Sequence, residues 1–129
     1  MTRTRRRIGA AGLSLFGCLF VQAEGTPSPL VRIAELEIDP AQLEAYKTAV
    51  TEEIETSIRV ELGVLAIYSV AVKDDPSQLR FFEMYADEAA YKSHLDSAHF
   101  KKYVAATKAM IKSRKLIETV PVVLGAKAK

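Results

Sequence analysis

The segment Phe81 to Tyr103, reading FFEMYADEAAYKSHLDSAHFKKY, carries both histidines of the chain and a glutamate set among aromatic residues. Glu83 alternates with Phe81 and Tyr85, so all three project from one face of a strand. A carboxyl group desolvated by such neighbours has a raised pKa and can exchange protons with a bound small molecule. The competing reading is structural, with Glu83 bonded to a backbone or histidine partner and holding a helix in place. His94 follows Tyr91 by one helical turn and points at the same space, where an imidazole can act as acid, base or hydrogen-bond donor near neutral pH. Glu83, Tyr85 and His94 are therefore the candidates for chemistry. Tyr68, Phe81, His99, Phe100 and Tyr103 are the candidates for lining a pocket for a planar ligand, the alternative for each aromatic being ordinary core. His99, beside Ser97 at a helix start, also reads as a capping or packing residue. His94 and His99 lie five residues apart across a helix break, which is not the i, i+4 spacing of a metal-binding pair on one helical face, and no metal site is expected. Glycine-rich phosphate loops and nucleophilic serine motifs are absent from the sequence.

These residues need a scaffold, and the hydrophobic pattern supplies one. Val31 to Ile38 alternates apolar and polar residues as a half-buried strand does. Asp39-Pro40 is an N-cap followed by a proline at the first helical position, and Leu43, Tyr46, Val50, Ile54 and Ile58 continue at helical spacing until Glu61-Leu62-Gly63. Leu65 to Lys73 reads as a second strand, Asp74 to Ser77 as a turn, and Leu79 to Tyr85 as the returning strand of a hairpin. A helix is expected from Asp87 to Leu95, a break at Asp96-Ser97, and a longer helix carrying Phe100, Tyr103, Val104, Thr107 and Ile111. On that helix, Lys101, Lys102, Lys108, Lys112, Arg114 and Lys115 read as a solvated outer face. Leu116 to Leu124 is expected to form the last strand, with Pro121 at an edge or bulge.

The order strand, helix, strand, strand, helix, strand predicts an α+β fold, a ferredoxin-like βαββαβ antiparallel sheet with its helices on one face. The other face, given Ile67, Phe82 and Met84, is too apolar to leave in water, and a face-to-face homodimer is expected.

At 129 residues, 49% of them hydrophobic, the chain has room for one domain, here residues 31–124 with a short tail at 125–129. Residues 1–23 differ from the rest: MTRTRRR is a basic start, Ile8 to Val21 is apolar, and Val21-Gln22-Ala23 offers small residues for cleavage after Ala23. A secretory signal is expected, followed by a linker over 24–30, with a periplasmic or secreted product and no stable membrane span once it is removed. Thr4 to Ile8 gives a partial twin-arginine match, and Leu15 to Cys18 a partial lipoprotein box. Removal of the leader takes four of the 18 basic residues and leaves 14 against 16 acidic ones, a net charge of −2. No basic patch for nucleic acid remains. Cys18 leaves as well, so the mature chain can form neither a disulfide nor a thiolate site.

Four motifs together resemble a known family: Glu61-Leu62-Gly63 before the second strand, Phe82-Glu83-Met84-Tyr85 at a strand end, Ala90-Tyr91 with His94, and Ser97 to Tyr103 (SAHFKKY). The family is the antibiotic-biosynthesis-monooxygenase type of dimeric α/β-barrel, which includes quinol monooxygenases. The resemblance spans Val31 to about Val123. It implies an aromatic or quinone-like substrate held between sheet and helices and oxygenated with O2 without metal or flavin, and so no cofactor, with Glu83, Tyr85 and His94 binding and deprotonating it. A haem-degrading branch uses asparagine, tryptophan and histidine. This chain has no asparagine and no tryptophan, and Leu36, Tyr85 and Val104 stand at the matching positions, which disfavours haem. A non-catalytic dimeric ligand-binding or stress protein, or a ketone isomerase on the same fold, is the alternative.

Overall fold

In a computed structural model the chain is described over residues 28–129. The expected leader, Cys18 and most of the linker lie outside the described residues.

Strand β1 (Leu30–Ile38) turns Ala34, Leu36 and Ile38 into the core. Asp39 ends it, and its side chain accepts a hydrogen bond from the Ala41 amide at 3.0 Å. With Pro40 pre-set for helix entry, a 3-10 turn at Pro40–Gln42 leads directly into α1 (Leu43–Val60). The buried stripe of α1 is Tyr46, Val50, Glu53 and Ser57, so half of its core-facing positions are polar.

Strands β2 (Val64–Val72) and β3 (Asp75–Tyr85) form the hairpin. Its turn is tighter than the expected Asp74 to Ser77, because Val72 already pairs with Asp75. Pro76 can sit inside β3 because the pairing with β1 stops at Gln78, leaving its missing N–H without a ladder to disrupt. Gly63 precedes β2 where α2 crosses closest: a Cβ there would stand 2.5 Å from Ala90 Cβ.

Helices α2 (Glu88–Asp96) and α3 (Ala98–Thr107) meet at the expected break. Ser97 closes one and opens the other, donating through Oγ to His94 O at 2.7 Å and accepting from the Phe100 amide at 3.3 Å. The C-terminal boundaries differ from expectation. Helix α3 ends at Thr107, and β4 runs from Ile111 to Glu118 rather than from Leu116 to Leu124. Ile111 continues the helical spacing by coincidence. The strand itself, IKSRKLIE, is an edge strand with little apolar alternation to announce it. Lys112, Arg114 and Lys115 therefore belong to the sheet, not to a helix face, and Pro121 lies beyond the strand.

The four strands are antiparallel in the order β2-β3-β1-β4, the ferredoxin-like arrangement from which dimeric α/β-barrels are built. The helices cover the face carrying Ala34, Leu36, Leu79, Phe81 and Tyr85. Ile67 also faces them, since it pairs with Glu83 and joins the core; it does not belong to the open face. That face carries Ile33, Tyr68 and Phe82 in register, with Met84 beside them.

Candidate active site

Between the β3-β1-β4 part of the sheet and helices α2 and α3 lies a cavity of about 400 Å³. Strand β3 contributes Phe81, Glu83 and Tyr85 to it by alternation, β1 contributes Ala34 and Leu36, and the helices contribute Tyr91, His94, Leu95, Phe100, Tyr103 and Val104. Arg114 and Leu116 complete the wall from β4. Leu36, Tyr85 and Val104, which the resemblance sets at the haem-branch positions, all line it.

Glu83 is the carboxyl group of this cavity. Tyr85, fully buried, donates from its hydroxyl to Glu83 Oε2 at 2.9 Å. Burial pushes the Glu83 carboxyl above the usual range, and the Tyr85 hydrogen bond only partly opposes it. Burial, reinforced by the neighbouring Glu83, likewise drives the Tyr85 hydroxyl far up, so it stays protonated and serves as a donor. The Tyr85 ring packs edge-on against Tyr91 at 5.1 Å and lies 5.3 Å from the His94 ring, which locks the pair in place. Arg32 closes this end, donating to the Tyr91 hydroxyl and to Glu118 Oε1 at 2.8 Å, with its guanidinium 4.4 Å from the Tyr91 ring centre.

His94 lines the cavity with its ring, but its nitrogens are turned to carboxylates. Nδ1 is 2.9 Å from Glu61 Oε2, and Nε2 is 3.6 Å from Glu53 Oε1. His99 Nε2 reaches the same Glu61 oxygen at 2.7 Å, and Ser57 Oγ donates to Glu53 Oε1 at 2.7 Å. Burial alone would raise the Glu61 carboxyl, yet the hydrogen bonds from the two histidines outweigh it and hold Glu61 below the usual range. His99 thus sits behind His94, against Glu61, and does not line the cavity. Glu53, His94 and His99 also bring one donor atom each within 4.8 Å of one another, a two-histidine, one-carboxylate set of a kind that holds divalent cations. The two histidines meet through a carboxylate on the end of α1, which spacing along the chain does not reveal.

At the far end, the Tyr46 and Tyr103 hydroxyls share a 2.6 Å hydrogen bond. Burial raises the pKa of both. Phe100 stacks between His94, at 4.8 Å, and Tyr103, at 6.0 Å.

The structure therefore gathers Glu83, Tyr85, His94, Phe81, Phe100 and Tyr103 around one space. Tyr68 is a correction: it lies on the opposite sheet face, 65% exposed, against Phe82. The strand bulge between Val64 and Ala66 shifts the alternation on which its placement with the pocket rested. Three participants escaped the sequence reading. Arg114 was hidden by the misplaced helix end, and Glu61 by its resemblance to a helix stop. Glu53 had a visible signal, since Glu53 and Ser57 share the i, i+4 stripe of Tyr46 and Val50 and form a polar pair on an otherwise apolar face.

Comparison with known proteins agrees with this architecture. Residues 29–106 match the family model described as antibiotic biosynthesis monooxygenase. A solved structure from Bacteroides thetaiotaomicron, named for the same family, is 46% identical over 81% of this chain and 100% of its own, with a TM-score of 0.76. One from Lactobacillus acidophilus, named as a monooxygenase, is 33% identical over 68% of this chain and 42% of its own, with a TM-score of 0.67. One from Nitrosomonas europaea, at 23% identity over 73% of this chain and 90% of its own and a TM-score of 0.69, shares the fold. Among curated proteins none matches.

Proposed function

Because the chain belongs to the antibiotic biosynthesis monooxygenase family, we propose that it oxygenates a quinol or related phenolic molecule with O2, without metal or flavin. The observation that carries this reading is the Glu83 carboxyl, its pKa raised by burial, set into an aromatic-lined cavity of about 400 Å³. A carboxylate of raised pKa is a stronger base, suited to taking a phenolic proton near neutral pH. Tyr85 holds it in position through the 2.9 Å hydrogen bond, and His94, itself fixed by Glu61, presents its ring to the substrate.

The steps follow from the charge. Glu83 removes the hydroxyl proton, and the electron-rich phenolate forms a carbon–oxygen bond to O2 at a ring carbon. Protonation gives a hydroperoxide. Cleavage of its O–O bond with loss of the ring C–H proton releases water and leaves a carbonyl, so one oxygen atom enters the quinone product and the other leaves in water.

We also place the protein outside the cytoplasm, on the strength of the basic and apolar leader at residues 1–23, and assign it as a homodimer through the open sheet face. Tyr68 and Val70, at 65% and 61% exposure, support the second assignment, since a solvated sheet face rarely leaves such residues bare. Among the described residues no helix is long and apolar enough to cross a membrane.

Oxygen uptake by the purified mature protein with a panel of quinols and polyphenols tests the reaction. Turnover that disappears in Glu83→Gln supports it; no uptake with any member of the panel refutes it. Mass spectrometry of the mature N-terminus and light scattering on a sizing column test the other two assignments.

A further inference from the structure

We propose that Arg114 makes the cavity selective for aromatic molecules bearing a carboxylate at the end remote from Glu83. The inference rests on the cavity being the substrate site and extends that reading to the substrate's class.

Arg114 pairs with Leu36 across β1 and shares the helix-facing wall with it. Of the fourteen lysines and arginines among the described residues, six are matched by carboxylates, Arg32 with Glu118, Lys47 with Glu44, Arg80 with Glu35, Lys101 with Asp96, Lys102 with Glu52 and Lys112 with Glu37, and of the eight that are not, Arg114 alone lines this cavity. Arg114 has no ion pair or hydrogen bond among the described residues, although it lines the largely apolar cavity. Its charge reaches the cavity's polar end, where it lowers the Tyr46 and Tyr103 hydroxyls against the larger effect of burial. A guanidinium left free beside aromatic walls is suited to a planar anion, which it binds through two parallel N–H donors.

The sheet register fixes the orientation. Glu83 stands opposite Arg32 on β1 and Arg114 opposite Leu36, so the two groups lie roughly 13 Å apart along the strand direction at about 3.3 Å per residue. Strand β1 stands between theirs, which adds about 10 Å across the sheet and sets their backbones about 16 Å apart, and with both side chains lining the cavity the space left between their charged groups suits a fused-ring aromatic. An anion at the Glu83 end would meet a like charge, whereas at the Arg114 end it meets an opposite one. A hydroxyl therefore goes to Glu83 and a carboxylate to Arg114. Arg114 lies past residues 29–106, the stretch that matches the family model.

Fluorescence titration of the mature protein with 6-hydroxy-2-naphthoate and 6-hydroxy-2-naphthamide tests this directly, since the two have nearly the same shape and the amide lacks the negative charge at the remote end. The naphthoate should bind at least tenfold more tightly, and the preference should shrink in 0.5 M salt. Arg114→Gln should bring the two within twofold of each other, while Arg114→Lys keeps part of the preference; the exposed position lets both variants fold, checked by near-ultraviolet circular dichroism. Equal binding by the parent protein, no binding of either compound, or a preference that survives Arg114→Gln overturns the proposal. Because binding needs no turnover, a protein that prefers the naphthoate through Arg114 but never consumes oxygen loses only the oxygenase reading. One that oxygenates neutral quinols without any charge preference loses only this one.

Discussion

Removing the Glu61 carboxylate should unlatch the helices from one another. Glu61 caps the end of α1, and through one oxygen it accepts from His94 on α2 at 2.9 Å and from His99 on α3 at 2.7 Å. His94 is only 3% exposed, so water cannot readily replace the lost partner. Hydrogen bonds to a charged group contribute about 1.5–3 kcal/mol each, and since the Glu61 side chain is itself 14% exposed, the lower end applies; Glu61→Ala should cost about 3 kcal/mol. For a domain of this size that lowers Tm by more than about 10 °C. Glu61→Gln keeps a carbonyl acceptor for both histidines and should cost less than half as much. The pH dependence has a definite sign. The folded-state pKa of Glu61 lies below its unfolded value, so its contribution is present above the unfolded glutamate range and is lost as pH falls through the folded pKa. Urea unfolding of the parent and both variants across the acid range measures this. The parent should lose stability on acidification more steeply than Glu61→Gln. A Glu61→Ala variant within about 0.5 kcal/mol of the parent, the range of ordinary surface substitutions, would refute the latch.

Glu83 behaves in the opposite sense: its folded pKa is raised, so it favours folding below the unfolded glutamate range and loses that contribution as pH rises through the folded pKa. Glu83→Gln should therefore be more stable than the parent at neutral pH while losing oxygen uptake, a combination read by thermal unfolding beside the oxygen electrode. Tyr103→Phe strips the fully buried Tyr46 hydroxyl of its 2.6 Å partner and should cost about 1–3 kcal/mol in denaturant titration, with Tyr46→Phe/Tyr103→Phe recovering part of the loss. Gly63→Ala drives a methyl group to 2.5 Å from Ala90 Cβ and should destabilise by about 1–3 kcal/mol; Gly63→Ala with Ala90→Gly should be milder than Gly63→Ala alone.

The topology was legible because its signals are local and strong. Asp39-Pro40, Asp87 and Ser97 each announce a helix start, and each makes the capping hydrogen bond that its residue type favours. The alternation of Phe81, Glu83 and Tyr85 placed all three on one face of β3, and all three line the cavity. What failed was whatever depended on a partner distant in sequence. An edge strand such as β4 needs few apolar residues, so IKSRKLIE looked like the end of a helix, and Arg114, exposed as expected, was not seen to border the cavity. A one-residue bulge in β2 reversed the faces assigned to Ile67 and Tyr68. The meeting of His94, His99 and Glu61 depends on how three helix ends pack, a relation for which no fixed spacing along the chain exists.

The division of parts between sheet and helices has a consequence for how such a protein can diversify. Glu83 and Tyr85 sit two residues apart on a strand flanked by partners on both sides, so their mutual geometry is inherited from the backbone ladder. Leu95, Phe100, Tyr103 and Val104, which shape the remaining space, come from α2 and α3 on either side of the Ser97 break. Mutation can thus recontour the cavity through the helical half while the Glu83–Tyr85 pair on the sheet stays still. A scaffold built this way can change what it accepts in small viable steps.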